Sequence, residues 1–492
     1  MTDSGGRDGY EVAVIGGGTA GMTVAKLLAR EGVRVALIEE ARTGGDCLYT
    51  GCVPSKALIA TAGMLATIRR AGDFGVRVGE PKLDLPAAIA RKNRIIDEIG
   101  VVDSPAALAE AGVAVLSGHA EFVDATRIRI EERTLDAERV VIATGSRPTT
   151  PSIPGLTESG FVTSDELMEL TTLPRRLAVI GAGATGLELG QTFARFGSEV
   201  TVVDRSPRVL WRDDAEAAEV VMGKLRAEGI SFRMGREVER VDGGEGGKRL
   251  TLRADSGGPS EIEVDEILVA VGRTPRIGGL RLDAAGVALD GDAIRVDERF
   301  RTSSPTTWAC GDVTGPPYYT HAAEDQARTV AKNVQGGKSS WSGRALPWAT
   351  FTDPEIAGVG LTEEAARAKH GDKLEVLRFP YEHLDRAMTD GRGDGFVKVL
   401  LAPGGLREIL GGEVVGAHAV GANAAEIVQQ FAVLMAWRLP AGILAKVVQA
   451  YPTYSLAGRQ TIGLHWQNRR DDDSSSGPVG VVKSWLTKVL ER

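Results

Sequence analysis

A chain of 492 residues is too long for one hydrophobic core and implies roughly three domains. Its 43% hydrophobic and 25% charged content is that of a folded protein, and a net charge of −8 offers nothing for a nucleic acid to hold. Only three cysteines are present, which excludes a secreted disulfide framework and makes a close pair of them read as catalytic.

The opening run, Met1 to Tyr10, has no apolar segment of the signal-peptide type, and no stretch approaches a membrane span, so a cytoplasmic location is the expectation. Residues 11–15 read as a buried parallel strand. Gly16-Gly17-Gly18-Thr19-Ala20-Gly21 turns into a helix through Arg30, and residues 33–39 form the next strand. In such a turn Gly16 permits the bend, Gly18 lets backbone reach a pyrophosphate, and Gly21 lets helix pack on strand. Glu39 can accept from both ribose hydroxyls.

Next comes Gly44-Gly45-Asp46-Cys47-Leu48-Tyr49-Thr50-Gly51-Cys52-Val53-Pro54-Ser55-Lys56. Two cysteines five apart can close a small loop as a disulfide, and Pro54 suits the first turn of a following helix. Cys52 then sits at a helix N-terminus, where the dipole favours a thiolate.

A strand at 139–142 ends in Ala143-Thr144-Gly145-Ser146-Arg147-Pro148, and a linker rich in Pro and Thr follows. The opening pattern then recurs as strand 177–180, turn Gly181-Ala182-Gly183-Ala184-Thr185-Gly186, a helix, and strand 200–204. In both copies the acidic residue, Glu39 or Asp204, lies 18 positions after the last glycine. Two dinucleotide folds, and hence two nucleotide cofactors, are expected.

Val269-Ala270-Val271-Gly272-Arg273-Thr274-Pro275 repeats the earlier closure. The chain returns to the first fold through residues 307–312, and a helix begins near His321-Ala322. From about Pro347 to Leu464, strands and a long apolar helix (Ala424 to Trp437) make an α+β region. Asp471 to Pro478 reads as a linker. In the tail, Val482, Trp485, Leu486, Val489 and Leu490 form an apolar face. Packing on its own dimer is the first reading of that face and a weak membrane contact the second. The expected divisions are 1–150 and 279–345 for the first fold, 151–278 for the second, 346–468 for the third domain, and 469–492 for linker and tail.

The run from Gly44 to Lys56 matches the redox-active segment of the flavoprotein disulfide reductases (dihydrolipoamide dehydrogenase, glutathione reductase, mercuric reductase), and the chain resembles that family over about residues 10 to 465. The resemblance implies an α/β fold of two Rossmann-like domains, for FAD and NAD(P), with a C-terminal α+β dimerisation domain. It implies FAD against Gly16, Gly18, Gly21, Glu39, Gly45, Lys56, Thr144, Gly145, Gly311 and Asp312, with Asp312 bonding a ribityl hydroxyl. The helix at His321 and Ala322 would face the flavin pyrimidine, with His321 packing rather than acting as an acid or base.

NADH or NADPH would lie on Gly181, Gly183, Gly186 and Gly272. Asp204 favours NADH while Arg205 and Arg208 favour NADPH, which leaves the preference open. Lys56 and Glu188 would pair near the flavin N5. Cys52 would be the thiol exchanging electrons with flavin and Cys47 the one attacking the acceptor.

The largest departure from the family comes late. Glutathione and dihydrolipoamide enzymes carry His-Pro-Thr with a Glu five residues after the His, a proton-moving dyad contributed by the partner subunit. Here Tyr451 and Leu456 stand in those places, and a tyrosine titrating near 10 is a poor base at neutral pH. Mercuric reductases carry a Tyr there, and residues 188–191, 193–198 and 351–355 also resemble that branch. The C-terminal cysteine pair that delivers Hg(II) in those enzymes has no counterpart, and Cys310 reads as structural.

The expected protein is a homodimeric enzyme passing electrons from NAD(P)H through FAD and the Cys47–Cys52 pair to a small-molecule or small-protein acceptor. That acceptor is a disulfide, a metal ion or another oxidant. Alternatives are a diaphorase-type quinone reductase independent of the thiols, a mercuric reductase, and a non-catalytic flavoprotein redox sensor. No resident metal site and no nucleic-acid partner are expected.

Overall fold

Parallel strands covered on both faces need apolar side chains throughout, and Val12, Val14, Leu37 and Val141 are fully buried. They belong to the central strands of the first sheet in a computed structural model that describes residues 9–244, 247–254, 258–402 and 410–471. The apolar tail face expected at Val482 to Leu490, and the linker before it from residue 472, lie outside the described residues. The chain divides into two compact units, Met1–Arg205 with Ser231–Gly343, and Ser206–Ile230 with Arg344–Arg492.

Both nucleotide-type folds lie in the first unit. In one sheet, strand Gly9–Ile15 pairs in parallel with Val35–Glu39 on one side and Arg133–Ile142 on the other. The return segment Thr307–Ala309 adds in parallel to Arg133–Ile142, where the sequence places the chain's re-entry. The second sheet is parallel throughout, in the order Ser231–Met234, Glu199–Asp204, Arg176–Ile180, Glu266–Val269. In each fold the first strand leads through a glycine turn into a helix, Thr19–Arg30 and Ala184–Phe196 respectively.

One expectation is corrected. Gly45–Arg69 has the length and hydropathy of a membrane span, with mean hydropathy 1.3 over its most apolar window. Its main helix, Cys52–Arg69, packs on the helices Leu85–Gly100 and Ala184–Phe196, burying Leu58, Ala62 and Leu65. The apolar composition serves packing between two folds.

The second unit is a five-stranded antiparallel sheet in the order Pro347–Thr350, Glu355–Gly360, Glu413–Gly421, Phe396–Ala402, Glu375–Pro380. Helices Ala424–Ala436 and Leu456–Asp471 share its core with Tyr381, Phe431 and Ile462. Val433, Trp437 and Val448 are 55%, 77% and 94% exposed, an apolar surface of the kind that subunit contacts cover.

One charge sits deep in this unit. Lys398, 3% exposed, meets Asp214 at 3.0 Å and Glu216 and Glu363 at 2.8 Å each. Asp214 also caps the helix Ala215–Ala227 by accepting from the Ala217 amide, so one cation anchors that helix to the sheet. Lys398→Met leaves the buried Asp214 carboxylate without its cation and should cost on the order of 3–5 kcal/mol. The urea midpoint of the full-length protein reports it; an unchanged midpoint contradicts the anchoring role.

Candidate active site

The two glycine turns share one geometry. Gly16 and Gly181 have φ of +106° and +113°. A Cβ on Gly21 or Gly186 would lie 1.9 or 2.0 Å from the carbonyl oxygen of Gly16 or Gly181. Those four glycines are required by the fold itself. Gly18 and Gly183 are different: a Cβ there would meet nothing nearer than 3.9 Å and nothing within 4 Å, respectively. Internal packing does not demand glycine at these two positions, whereas close approach of a pyrophosphate does.

The acid ending the second strand is pinned in both folds. Glu39 accepts from the Gly17 amide at 2.6 Å and the Ala41 amide at 2.8 Å, and Asp204 accepts from the Ala182 amide at 2.7 Å. A cavity of about 400 Å³ opens beside Glu39, lined by Arg42, Thr43, Tyr49 and Ser117. The Arg42 guanidinium lies 3.9 Å above the Tyr49 ring. These donors and this flat cation suit the adenosine side of a dinucleotide.

Cys47 lies on the short helix Gly45–Tyr49, and Cys52 is the first residue of Cys52–Arg69. The structure holds both as free thiols, Cys47 half-buried and Cys52 exposed. The pair is polarised. A hydrogen bond from Cys47, another from Thr320 and the charge of Lys56 bring Cys52 down to about 6, against burial and Glu188. The bond to Cys52, followed by burial, pushes Cys47 far above the thiol range. Above about pH 6 the reduced pair therefore carries its thiolate on Cys52 and its proton on Cys47.

Lys56, one turn along the same helix, meets Glu188 of the second fold at 2.8 Å. Sequence separates these two by 132 residues, and the resemblance alone had paired them. Glu188 has a side chain only 7% exposed, so the pair is asymmetric, with the carboxylate inside and the ammonium toward the opening.

The remaining expected residues line the same unit. Thr144 donates to the Arg276 carbonyl at 2.6 Å, and the Gly145 carbonyl accepts from the Arg276 amide. Asp312 accepts from Ser146 at 2.5 Å, and burial raises its carboxyl. Gly311 has φ +78° and donates its amide to Gln326. Gly272 has φ +135°, closing the second fold as Gly145 closes the first. The helix expected near His321 runs Thr320–Val334; Ala322 is fully buried, and the His321 ring stacks on Tyr319 at 5.4 Å. Cys310 is fully buried and pushed up to about 12 by that burial, consistent with a structural part.

Other residues carry no local signal. Arg273 pairs with Asp46, the residue before Cys47, and lies 3.8 Å from Asp312; Arg276 reaches Asp46 at 3.2 Å. Thr320 Oγ1 lies 3.4 Å from Cys52 Sγ, across 268 residues of sequence. Of the two arginines weighed as phosphate ligands, Arg205 is exposed. Arg208 belongs to the second unit and donates to the carbonyls of Leu210, Trp211 and Asp213. Tyr451, also in the second unit and 73% exposed, donates to Asp385 at 2.7 Å. That bond holds its phenol above the usual range.

Residues 10–327 match the pyridine nucleotide-disulphide oxidoreductase model, and residues 346–461 match the dimerisation domain of the same family. The dihydrolipoyl dehydrogenase of Cupriavidus necator is 33% identical over 92% of this chain and 97% of its own length. The mercuric reductase of Lysinibacillus sphaericus is 34% identical over 91% of this chain and 81% of its own. Among solved structures, the Cu(II) complex of the HOCl-induced flavoprotein disulfide reductase RclA from Escherichia coli superposes with a TM-score of 0.81. Its identity is 28%, over 93% of this chain and 99% of that one. FAD as cofactor, NAD(P)H as electron donor and a dimerisation domain that supports a homodimer follow from that membership. Two glycine-turn folds meeting at a polarised thiol pair, followed by a dimerisation sheet, place this chain in the pyridine nucleotide-disulphide oxidoreductase family.

Proposed function

We propose that this protein is a reductase working outward from the nicotinamide. Electrons pass through FAD to the Cys47–Cys52 pair and leave to a thiophilic, redox-active metal ion, with Cu(II) the first candidate. The observation that carries the choice of acceptor is the hydrogen bond from Tyr451 to Asp385, which keeps a protonated phenol where dithiol-handling relatives place their His–Glu base.

Bound FAD supplies the step that turns a hydride into electrons for a disulfide. This chain's residues supply the rest. Lys56 and Glu188 fix a charge pair beside the pair of thiols. Cys52 holds the thiolate. Cys47 retains a proton that an organic disulfide cannot remove for itself. A metal ion can, because a coordinated thiol loses its proton outright, so a metal acceptor brings the acidity that the missing base would otherwise supply.

The balance is complete. NAD(P)H and two Cu(II) give NAD(P)⁺, two Cu(I) and one proton, while the reduced pair returns to the disulfide. RclA with its Cu(II) complex and the mercuric reductases among the relatives support a metal acceptor. Hg(II) is the weaker candidate because the only other cysteine, Cys310, is buried and no delivery pair exists. NADH is the donor favoured by Asp204, whose pinned carboxylate would repel a 2′-phosphate.

Two experiments test this reading. Gly18→Val should yield protein without flavin, whereas Gly183→Val should keep flavin that NADH no longer reduces; flavin content and anaerobic bleaching measure both, and retained flavin in Gly18→Val contradicts the assignment. In steady-state assays with NADH, lipoamide reduction should run about 10²–10⁴-fold below that of dyad-bearing relatives. Cu(II) reduction should instead be brisk and should collapse in Cys47→Ser. Fast lipoamide turnover, or Cu(II) turnover indifferent to Cys47, would sink the proposal, the second result favouring the thiol-independent diaphorase.

A further inference from the structure

One histidine of the first unit stands between two acceptors. His119 follows the strand Val113–Ser117, and its Nδ1 lies 2.8 Å from the Glu40 carboxylate. Its Nε2 is bonded to the backbone carbonyl of Gly279, and a Cβ on Gly279 would lie 2.5 Å from that nitrogen. Gly279 lies where the chain returns to the first fold, and the neighbouring Leu280 carbonyl accepts from the Phe122 amide at 2.9 Å.

A carboxylate and a carbonyl can only accept. Each ring nitrogen must therefore bring a proton, and a histidine that makes both bonds at once is the imidazolium. The charges around the ring leave Glu40 as its counter-ion. Glu121 is taken by Arg281 at 3.2 Å and by Arg129, and Glu131 accepts from the His119 amide at 3.1 Å. The Glu40 bond, opposed by burial and helped by Gly279 and Glu121, holds the ring above the ordinary histidine range.

The segments that carry this clasp also wall the cofactor cavity. Glu40 stands between Glu39 and Ala41 in the chain, and both of these line the cavity of about 400 Å³ together with Arg42, Thr43 and Ser117. Gly118, the residue before His119, donates to the Glu39 carbonyl at 3.0 Å. We propose that His119 is a positioning residue for FAD: its imidazolium, bridging Glu40 and Gly279, holds residues 39–43 in the arrangement that grips the adenosine end, and loss of its proton loosens that grip. The proposal takes FAD as the cofactor of the family and is independent of which acceptor drains the electrons. Its sign follows from the bonds. Below its titration His119 makes both; above it one ring proton and one bond are lost, so flavin retention falls as pH rises.

The test is the rate at which diluted full-length holoenzyme releases flavin, read from the rise in flavin fluorescence between about pH 6 and pH 9. Wild-type release should quicken about two- to five-fold across that range, the size expected where both side chains of an ion pair are about half exposed. His119→Gln keeps an amide donor but carries no charge at any pH, and should release flavin at the faster rate throughout. Glu40→Gln keeps the ring and removes its anion, so its step should shrink and move to lower pH; this variant carries the test if His119→Gln fails to fold. Release that ignores pH in wild type, a full step retained in His119→Gln, or equal steps in wild type and Glu40→Gln would each overturn the proposal.

Discussion

The contact on which the first unit depends is the alignment of the redox helix Cys52–Arg69 along the helix Ala184–Phe196 of the second nucleotide fold. It is fastened at both ends. Lys56 meets Glu188 at 2.8 Å near the start, and Arg69 donates to the Arg195 carbonyl at 2.9 Å near the finish. Each nucleotide fold could form its own sheet and glycine turn without the other, but a thiol pair is useful only if both cofactors are held in register with it. The 7% exposed Glu188 makes this fastening specific, because a largely buried carboxylate without its ammonium would be strongly penalised. A third tie, Asp46 to Arg273 and Arg276, links the residue before Cys47 to the closing segment of the second fold. The redox loop is thus held from two directions by the second nucleotide fold.

At the thiol pair, the governing quantity is where the single proton of the reduced form resides. Helix dipole, the Cys47 S–H and the Thr320 hydroxyl all favour charge on Cys52. The cost is a Cys47 that stays protonated at neutral pH. A relative with a basic dyad removes that proton with its own side chain. Tyr451, bonded to Asp385, is arranged as a donor and does the opposite. On the function proposed here the acceptor is one that does not ask for a protein base, which is the physical link between Tyr451 and the metal chemistry proposed for the cysteines.

What was legible in the sequence was what local spacing encodes. The glycine turns, the acids Glu39 and Asp204, the Cys47–Cys52 run and the return at Thr307 all depend on residues within one βαβ unit or one strand, and the fold class followed from their repetition. Contacts made across long separations were not legible. Thr320 reaches Cys52 over 268 residues and Asp385 reaches Tyr451 over 66, and neither threonine nor aspartate carries a pattern that announces a partner. The Lys56–Glu188 pair was reached only through family resemblance. Charge read by proximity misled in one place: Arg208, beside Asp204 in sequence, is engaged with backbone carbonyls. The span-like length of Gly45–Arg69 went unnoticed in the sequence, and its main helix packs between helices.

The central claim is that electrons leave through the thiol pair to a metal ion. Its most direct test is a single turnover: holoenzyme reduced anaerobically with one equivalent of NADH is mixed rapidly with Cu(II), following the Cys52 thiolate–flavin band and trapped Cu(I) together. The account predicts that the band vanishes as two Cu(I) form per reduced pair, in one phase, with neither event in Cys47→Ser at that rate. Cu(I) appearing in Cys47→Ser as fast as in wild type, or the band persisting while Cu(I) accumulates, would contradict it.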